Sequence, residues 1–416
     1  MAGEWRDITL GDFVALQRGH DLTEPERRIG RVPVMGSAGQ NGFHDTALAK
    51  GPGIVIGRSG ASFGQVHFAK EDFWPHNTGL YVTDFKGNDP LFAFYFLKAL
   101  DFDRFNSGSA QPSLNRNFIY PIPIRVPKPA EQKAIAAVLG ALDDKIELNR
   151  RMNATLEAMA RALFQSWFVD FDPVRAKLDG RPPAALDPAT AALFPDSLQD
   201  SAIGPIPHGW SMKDLGEIAD FDKGLSYKGE GLAEEGGMPM VNLGCFTGRG
   251  LFNADRVKRY TGEYRERHLV HAGDLVIANT DMTQNRIIIG SPALVPELNG
   301  AKEFLFTHHV FAVRFKTGAE LWRRYVFFTL LKPEFREIAE GFSTGTTVLA
   351  LPRDGLVNYS LCLPPIPLLE AFEKQVGPIL GAFDANLHQS RTLATLRDTL
   401  LPKLLSGELI TTDTNL

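Results

Sequence analysis

The chain has 416 residues, of which 44% are hydrophobic and 22% charged, and its formal net charge at pH 7 is −5. A chain of this length exceeds what one hydrophobic core serves, so we expect about two or three domains, and the slight acidity does not indicate a nucleic-acid binder. Two cysteines, Cys245 and Cys362, exclude a disulfide framework, and no apolar run is long enough to span a bilayer, which together predict a cytoplasmic protein with no membrane partner.

One module occurs twice in the chain. In both halves a tryptophan is followed by Leu-Gly-acid and then by a basic residue and glycine, at Trp5, 10–12 and 18–19, and again at Trp210, 215–217 and 223–224. The two sets lie 205 positions apart (210 − 5). A chain built from two divergent copies is typical of a protein that presents two similar surfaces to a bipartite partner.

Each copy opens with short extended segments and continues with mixed helices and strands. Apolar and β-branched runs predict strands at 54–56, 66–68, 80–82, 275–277, 287–289 and 310–315. Further along each copy we expect a helix, near 90–100 and 320–332, then a Ser/Gly/Thr loop, and then a proline-punctuated strand, at 119–126 and 357–363. The sequence therefore predicts an α+β fold with two repeated α/β domains, at residues 1–128 and 210–366.

A long helix is predicted after each domain, at residues 129–170 and 367–408. Apolar residues recur every seven positions in the first helix and at mixed spacings in the second, so each helix needs a long partner, and the other copy supplies one. Asn149 and Asn153 lie on the apolar stripe and are expected either to set its register or to be tolerated polar residues, whereas Pro378 should kink or break the second helix. The residues expected to pack the helices are Ile135, Leu142, Leu156, Leu163, Phe383, Leu387 and Leu400.

The segment between the copies, residues 171–209, is predicted to be a linker. It is rich in proline, alanine and aspartate, yet it contains large apolar residues such as Leu193 and Phe194. These residues indicate that the linker lies against a domain surface and does not move freely.

No catalytic signature stands out in the sequence. The chain lacks a GxxxxGK phosphate loop, a GxGxxG turn and the Asn/Asp-Pro-Pro-aromatic tetrapeptide of adenine methylation. His308 and His309 are adjacent on an apparent strand, where their side chains would point to opposite faces and hold a metal poorly. We therefore expect a non-catalytic chain that binds neither a metal nor a cofactor.

The loops that differ most between the copies carry short hydrogen-bonding side chains and a guanidinium. Residues 58–62 follow a predicted strand in the first copy, and residues 279–286 take the matching place in the second. Such side chains bind base edges and phosphates, although turn chemistry also explains each loop taken alone. The candidate DNA-binding residues, drawn from these loops, the basic-Gly motifs, and the Ser/Gly/Thr loops with the residues that follow them, are Arg18, Arg58, Ser59, Ser62, Ser109, Gln111, Asn115, Arg116, Lys223, Asn279, Thr280, Gln284, Arg286, Thr346 and Arg353.

Several longer segments match a known family. The most specific are residues 167–171 (Trp-Phe-Val-Asp-Phe) and 401–408 (Leu-Pro-Lys-Leu-Leu-Ser-Gly-Glu), supported by residues 111–115 and 204–210. With these marks the chain resembles, over essentially its whole length, the specificity subunit of type I restriction–modification enzymes. Residues 343–350 depart from the pattern, because they replace the Gln-Pro-Ser-Leu part of the first copy's loop.

The resemblance implies a division of labour among subunits. Residues 1–128 and 210–366 would be target-recognition domains, each reading one half of an asymmetric bipartite site in double-stranded DNA, and the long helices would pack antiparallel as a coiled-coil spacer. Two methyltransferase (modification) subunits and two restriction (nuclease and translocase) subunits would complete the enzyme. S-adenosylmethionine, ATP and Mg²⁺ would be bound by those partners.

Two other interpretations stay open. One is a repeat-built protein-interaction scaffold without DNA recognition, and the other is a fused DNA-modifying enzyme with an unrecognised catalytic motif. Methyl transfer by this chain alone would establish the enzyme. An absence of DNA binding even in complex with the methyltransferase would establish the scaffold.

Overall fold

The polypeptide forms two compact units. The computed structural model describes residues 5–106, 112–282, 286–298, 300–345 and 348–410. The first unit comprises Met1–Arg151 with Asn386–Leu416, and the second comprises Met152–Ala385. Each unit therefore holds one copy of the repeated module and part of both long helices. The finer division drawn from the sequence, at residues 128, 170, 209 and 366, stays a prediction.

The repeated Leu-Gly-acid motif is a helix start in both units. The Thr9 hydroxyl accepts a hydrogen bond from the N–H of Asp12, and the Asp12 carboxylate accepts one from the N–H of Thr9. Asp214 and Glu217 form the same reciprocal capping box in the second unit. Each box satisfies N–H groups that the first turn of a helix leaves without an intrahelical partner. The acidic residue of the motif thus stabilises the start of the helix.

The glycine of the repeated basic-Gly motif permits a close backbone approach. A Cβ atom on Gly19 would lie 2.2 Å from the carbonyl oxygen of His76, and one on Gly224 would lie 2.2 Å from that of Phe306. Any side chain at either position would push the two segments apart. The basic residue before each glycine is thereby fixed at the end of its strand.

The first unit is built on a four-stranded antiparallel sheet, in the order Ala15–Arg18, Gly79–Asp84, Gly53–Gly57 and Val66–Ala69. Helix Pro90–Ala99 packs on this sheet through a buried apolar cluster. The remaining elements of this copy are the strands Trp5–Thr9, Val32–Gly36, Gly39–His44, Trp74–Pro75 and Pro123–Pro127, the helices Leu10–Phe13 and Arg116–Ile119, and the 3₁₀ turns Glu24–Glu26, Gly60–Ser62 and Asp103–Phe105.

The second unit repeats the sheet and enlarges its surroundings. Its four-stranded sheet has the order Ala219–Lys223, Val310–Phe315, Leu275–Ala278 and Pro292–Leu294. A five-stranded sheet has the order Leu232–Ala233, Lys258–Tyr260, Met238–Val241, Glu303–Phe306 and Leu269–His271, whereas the first unit has three strands there. The other strands are Ser211–Asp214, Thr280–Asp281, Leu349–Ala350 and Ser360–Leu363; the helices are Leu215–Ile218, Arg323–Leu330, Pro333–Phe342 and Asp354–Val357; the 3₁₀ turns are Gly229–Gly231, Leu243–Cys245, Ala254–Arg256, Glu266–His268 and Glu320–Trp322.

The linker is attached to the second unit. It contains the helices Asp172–Leu178 and Pro188–Ala192 and the paired strands Leu198–Gln199 and Ile206–Pro207. Phe194 is buried in the core of this unit, where its ring lies edge-on to that of Trp167 at 5.2 Å. Burial of such an aromatic side chain fixes the segment that carries it.

The two long helices span Pro129–Phe168 and Ile366–Ser406. The expected break at Pro378 is absent, because the second helix runs through this residue, with Phe372 and Val376 buried six and two residues before it. Among the described residues, no helix is both long and apolar enough to cross a membrane. Of the residues expected to pack the helices, Ile135 is fully buried, and the others are half-buried: Leu142, Leu156, Leu163, Phe383, Leu387 and Leu400.

Both asparagines on the apolar stripe are buried and bind the second helix. In the first unit the Asn149 side-chain N–H group donates to Gln389 Oε1 at 2.9 Å and to Ser390 Oγ at 3.2 Å. In the second unit Asn153 donates to the carbonyl oxygen of Phe383 at 3.1 Å. A buried amide that must meet a facing polar group restricts how one helix can slide along another.

Three of the predicted strands require correction. Residues 287–289 are not a strand, since the N–H groups of Ile288 and Ile289 donate to the carboxylate of Asp281 instead of to a neighbouring strand. The strands predicted at 119–126 and 357–363 are shorter, Pro123–Pro127 and Ser360–Leu363, because one-turn helices precede them. The other strands and both mid-domain helices lie where the sequence predicts them.

Candidate nucleic-acid interface

Four of the candidate residues meet in one open cleft of the first unit. The cleft has a volume of about 640 Å³ and is lined by Arg18, Arg58, Asn115 and Arg116. Gln17, His20, Asp21, Ser113 and Asn117, which are not among the candidates, also line it. These residues flank the candidates in the sequence, so the cleft is lined by a few short polar segments that each contain a candidate.

The cleft exists because two loops distant in sequence are hydrogen-bonded to one another. Arg58 follows the strand Gly53–Gly57, and its N–H donates to the carbonyl oxygen of Thr78 at 2.9 Å. The carbonyl oxygen of Arg58 accepts from the N–H of Leu114 at 2.8 Å, and Ser59 forms a β-bridge with Ser113. The loop that carries Arg58 is therefore held against the segment that carries Asn115 and Arg116.

The polar side chains of the cleft are not equally available. Arg116 donates through Nη1 to the carbonyl oxygen of Leu16 at 2.7 Å, and Asn115 accepts from the N–H of Asn117 at 3.0 Å to cap a one-turn helix. By contrast, Arg18 is exposed, Arg58 is half-buried, and neither guanidinium has an acidic or hydrogen-bonding partner within the described ranges. These two cations are the groups free to bind an anionic ligand.

The second unit uses the same backbone connections with different side chains. Asn279 donates its N–H to the carbonyl oxygen of His309 at 3.0 Å, and its own carbonyl oxygen accepts from Leu351 at 2.8 Å. These bonds match those of Arg58 in the first unit. The Asn279 side chain is 4% exposed and donates to the carbonyl oxygen of His308 at 3.1 Å. The side-chain amide of Asn279 is therefore engaged in a hydrogen bond within the domain.

Thr280 is also turned inward. It is 5% exposed, and its hydroxyl donates to Asn279 Oδ1 at 2.7 Å and lies 3.0 Å from Nδ1 of His309. Asn279 and Thr280 thus support the base of their loop from inside, whereas the matching Arg58 and Ser59 are half-buried at the cleft.

The exposed part of the second loop lies beyond Asp281. Met282 is 60% exposed, and Arg286 is exposed and adopts a positive φ of 52°. The fully buried Asp281 carboxylate closes the loop by accepting hydrogen bonds from the N–H groups of Ile288 and Ile289, at 2.7 and 3.1 Å. The Asp281 carboxylate thus holds a loop whose described residues Met282 and Arg286 are exposed to solvent.

The remaining candidates of the second copy are placed singly. Lys223 is exposed at the end of the strand Ala219–Lys223. Arg353 forms an ion pair with Asp220 at 3.2 Å. In the first copy, Ser62 is half-buried in the 3₁₀ turn that follows Arg58. Four candidates lie outside the described residues: Ser109, Gln111, Gln284 and Thr346.

The expectation that His308 and His309 point to opposite faces is wrong. The two residues lie in a turn, and their ring centroids are 3.8 Å apart. Burial, with smaller effects from His308 and Lys223, lowers the pKa of His309. Across the described ranges, no three His, Cys, Asp or Glu side chains are grouped so as to hold a metal ion.

We expect Asp281→Ala to loosen the exposed loop of the second unit. The substitution removes the acceptor of two N–H groups, and each buried donor left without a partner costs about 1–3 kcal/mol. Faster amide hydrogen exchange at Ile288 and Ile289 and faster proteolysis after Arg286 would report the change. Glu297→Ala, at an exposed position of the same unit, is the control. Unchanged exchange at both amides would show that Asp281 does not hold the loop.

Comparison with known proteins gives one consistent result. A family model described as the type I restriction modification DNA specificity domain matches residues 2–158. The type I restriction enzyme MjaIX specificity subunit of Methanocaldococcus jannaschii is 26% identical over 369 residues, covering 86% of this chain and 78% of that protein. The HindI specificity subunit of Haemophilus influenzae is 23% identical over 350 residues, covering 72% and 71%. The crystal structure of a type I S subunit from M. genitalium shares the fold, with a TM-score of 0.59 at 19% identity, covering 97% of this chain and 96% of that one.

Two units that share one backbone plan but expose different polar side chains define a protein built from two related domains. Residues 2–158 match the type I restriction modification DNA specificity domain, and the chain is similar over most of its length to type I restriction enzyme specificity subunits. The resemblance seen in the sequence is thereby confirmed.

Proposed function

We propose that this chain selects an asymmetric bipartite DNA target, with one recognition domain reading each half. The observation that carries the proposal is the matched pair of loops. Arg58 and Asn279 make equivalent backbone hydrogen bonds to a turn and to a second loop, yet their side chains and neighbours differ. A common support with different exposed groups is what two different short DNA sequences require.

The first domain would contact DNA through the cleft that holds Arg18 and Arg58. A guanidinium binds guanine O6 and N7 through paired hydrogen bonds, or binds a phosphate. In the second domain the exposed candidates are Lys223, Arg286 and Arg353, but Arg353 is paired with Asp220, which leaves Lys223 and Arg286. We therefore assign DNA contact to these four cations first, with Ser59 and Ser62 beside them.

We further infer that the long helices pack antiparallel as the spacer between the domains. In the first unit Asp143 pairs with Arg397 and Asn149 binds Gln389. Residue numbers of the contacts therefore increase along the first helix while they decrease along the second. In the second unit Asn153 binds Phe383 while Phe164 packs on Phe372, which follows the same order. Opposite directions of contact support an antiparallel pair.

Partner subunits would dock on the outer side of these helices. On the first long helix, Val138 and Leu148 in the first unit and Met152 and Met159 in the second are each between 41% and 51% exposed. Such a series of exposed apolar side chains is typical of an interaction surface. We propose that it receives methyltransferase subunits, two in the complete enzyme together with two restriction subunits. S-adenosylmethionine, ATP and Mg²⁺ would be bound by those partners, and this chain would supply only the DNA-sequence specificity of the complex.

The direct test is to produce the chain with its methyltransferase and to map methylation across genomic DNA. Methylation confined to one bipartite sequence is expected. Methyl transfer by the chain alone would instead establish an enzyme. No DNA binding by the complex would establish a scaffold.

Exchanging residues 1–127 for the first recognition domain of another family member should change one half of the target only. The reason is that the described residues lining the cleft of the first unit all belong to the first copy. Methylation mapping of the parent and the exchanged chain, side by side, measures this. A change in both halves would contradict independent readers.

A further inference from the structure

Asp143 joins three helices of the first unit through its two carboxylate oxygens. Oδ2 accepts a hydrogen bond from the Tyr95 hydroxyl at 2.6 Å, and Oδ1 pairs with Nη1 of Arg397 at 2.5 Å. Tyr95 lies on the recognition-domain helix Pro90–Ala99, and Arg397 lies on the second long helix. One carboxylate thus connects the recognition domain to both long helices.

The surroundings make these bonds stronger than surface contacts. Tyr95 is 1% exposed, and the side chains of Asp143 and Arg397 are 31% and 18% exposed. Burial, and then the hydrogen bond to Asp143, raises the pKa of Tyr95, so the phenol keeps the proton that it donates. Charge-assisted hydrogen bonds that are sheltered from water are short and directional.

Apolar packing already attaches the domain to the helices, so the polar contacts are not needed for attachment. Ile135 and Leu139 of the first helix and Leu404 of the second lie in the same buried cluster as Phe92 and Phe96 of the domain. Apolar contacts are non-directional and tolerate small rotations. The hydrogen bonds of Asp143 restrict them, because both partners must meet fixed lone-pair directions.

We propose that Tyr95, Asp143 and Arg397 are positioning residues that fix the angle between the first recognition domain and the long helices. The inference rests on the proposed function, since this angle sets where the cleft meets DNA. A displacement of about 3.4 Å along the duplex is one base-pair step. The three residues therefore narrow the range of spacer lengths that the protein accepts, without choosing any base.

The adjacent residue provides a matched control. Asp144 pairs with Lys70 at 2.7 Å, but both side chains are at least two-thirds exposed, at 68% and 70%. An exposed pair of this kind contributes little, because water and salt screen it. Asp143→Asn and Asp144→Asn are the same chemical change, one residue apart, in these two different settings.

The experiment uses the full chain in complex with its methyltransferase and a DNA library. The library keeps both half-sites constant and varies the spacer by up to about two base pairs, roughly 7 Å, in each direction. We expect Asp143→Asn and Tyr95→Phe to raise methylation at neighbouring spacer lengths, relative to the native length, by about tenfold, which equals about 1.4 kcal/mol. Asp144→Asn should behave as the parent does, and no variant should change the half-site sequences.

Each possible outcome decides the question. A uniform loss of methylation at every spacer length in both variants would show a structural role only and overturn the inference. A Tyr95→Phe chain with the strict spacer of the parent would overturn it as well, and this mild variant covers the case in which Asp143→Asn does not fold. If the parent itself shows no preference for a bipartite site, the proposed function fails and the inference falls with it.

Discussion

A chain with four residues inserted between Arg151 and Met152, in complex with its methyltransferase, will fail to direct methylation to its native target. Four residues lengthen a helix by about 6 Å and rotate the remainder of that helix by roughly 40°. The insertion lies in the first long helix, next to the buried Asn149 that binds Gln389 and Ser390. A recognition domain moved this far loses several base contacts at about 1–3 kcal/mol each, which amounts to more than about 100-fold.

A compensating insertion tests whether the helices act as a pair. Four residues between Ala385 and Asn386 lengthen the second helix where the compact units also divide. The doubly inserted chain should recover activity on a target whose spacer is longer by about two base pairs, since each step is about 3.4 Å. Methylation mapping of both chains measures this. Full activity of the singly inserted chain on the native target would contradict the spacer function of the helices.

Local patterns were sufficient to predict most of the fold. The strand Val310–Phe315 has the bounds expected from the sequence, and the helix Pro129–Phe168 begins where expected and ends two residues earlier, because periodicity and flanking glycine or proline are local signals. The break expected at Pro378 is also a local signal, and there it was misleading. Buried Phe372 and Val376 hold the helix in the core of the second unit in spite of the missing N–H.

The candidate site was predicted less completely, because it depends on contacts between distant residues. Asn279 and Thr280 have the composition of a recognition loop, but they bind His308 and His309, 29 positions away. Nothing within the loop sequence reveals that burial. Likewise, the apolar run at residues 287–289 predicts a strand. In the structure the N–H groups of Ile288 and Ile289 donate to Asp281, so they are not available to pair with a neighbouring strand.

The cleft itself illustrates the same limit. The cleft is lined by Gln17, His20 and Asp21, which lie near the start of the domain in the sequence, and by Asn117, which lies near its end. These come together only because Leu114 pairs with Arg58 and because Gly19 lets two backbones meet. Sequence patterns identify each segment as polar and loop-like, whereas the pairing of the segments requires the folded chain.

Replacing Arg18 and Arg58 together by alanine will weaken DNA binding by about 2–6 kcal/mol, if each guanidinium contributes about 1–3 kcal/mol. Both line the cleft of the first unit, and neither has an acidic or hydrogen-bonding partner within the described ranges, so their charge is available to DNA. Arg125→Ala is the control. Arg125 is an exposed arginine of the same domain, lies outside the cleft lining and is 4.0 Å from Asp7.

The salt dependence of binding separates the two roles that these arginines can have. A cation that binds a phosphate lowers affinity for every sequence when it is removed, and the slope of log K against log salt falls by about 0.9. A guanidinium that reads guanine instead relaxes the preference at one base pair of one half-site. The measurement is therefore the affinity of the methyltransferase complex for DNA duplexes that each carry one base-pair substitution. It is made at several salt concentrations, for each single protein variant and for the double variant.

Arg18 and Arg58 are expected to give different results. Arg18 ends a strand fixed by Gly19, so we expect its loss to lower the salt slope, as for a phosphate contact. Arg58 lies in the loop that differs between the copies, so we expect its loss to relax the preference at one base pair. Parent-like affinity of both variants at every salt concentration would remove the cleft from the DNA interface.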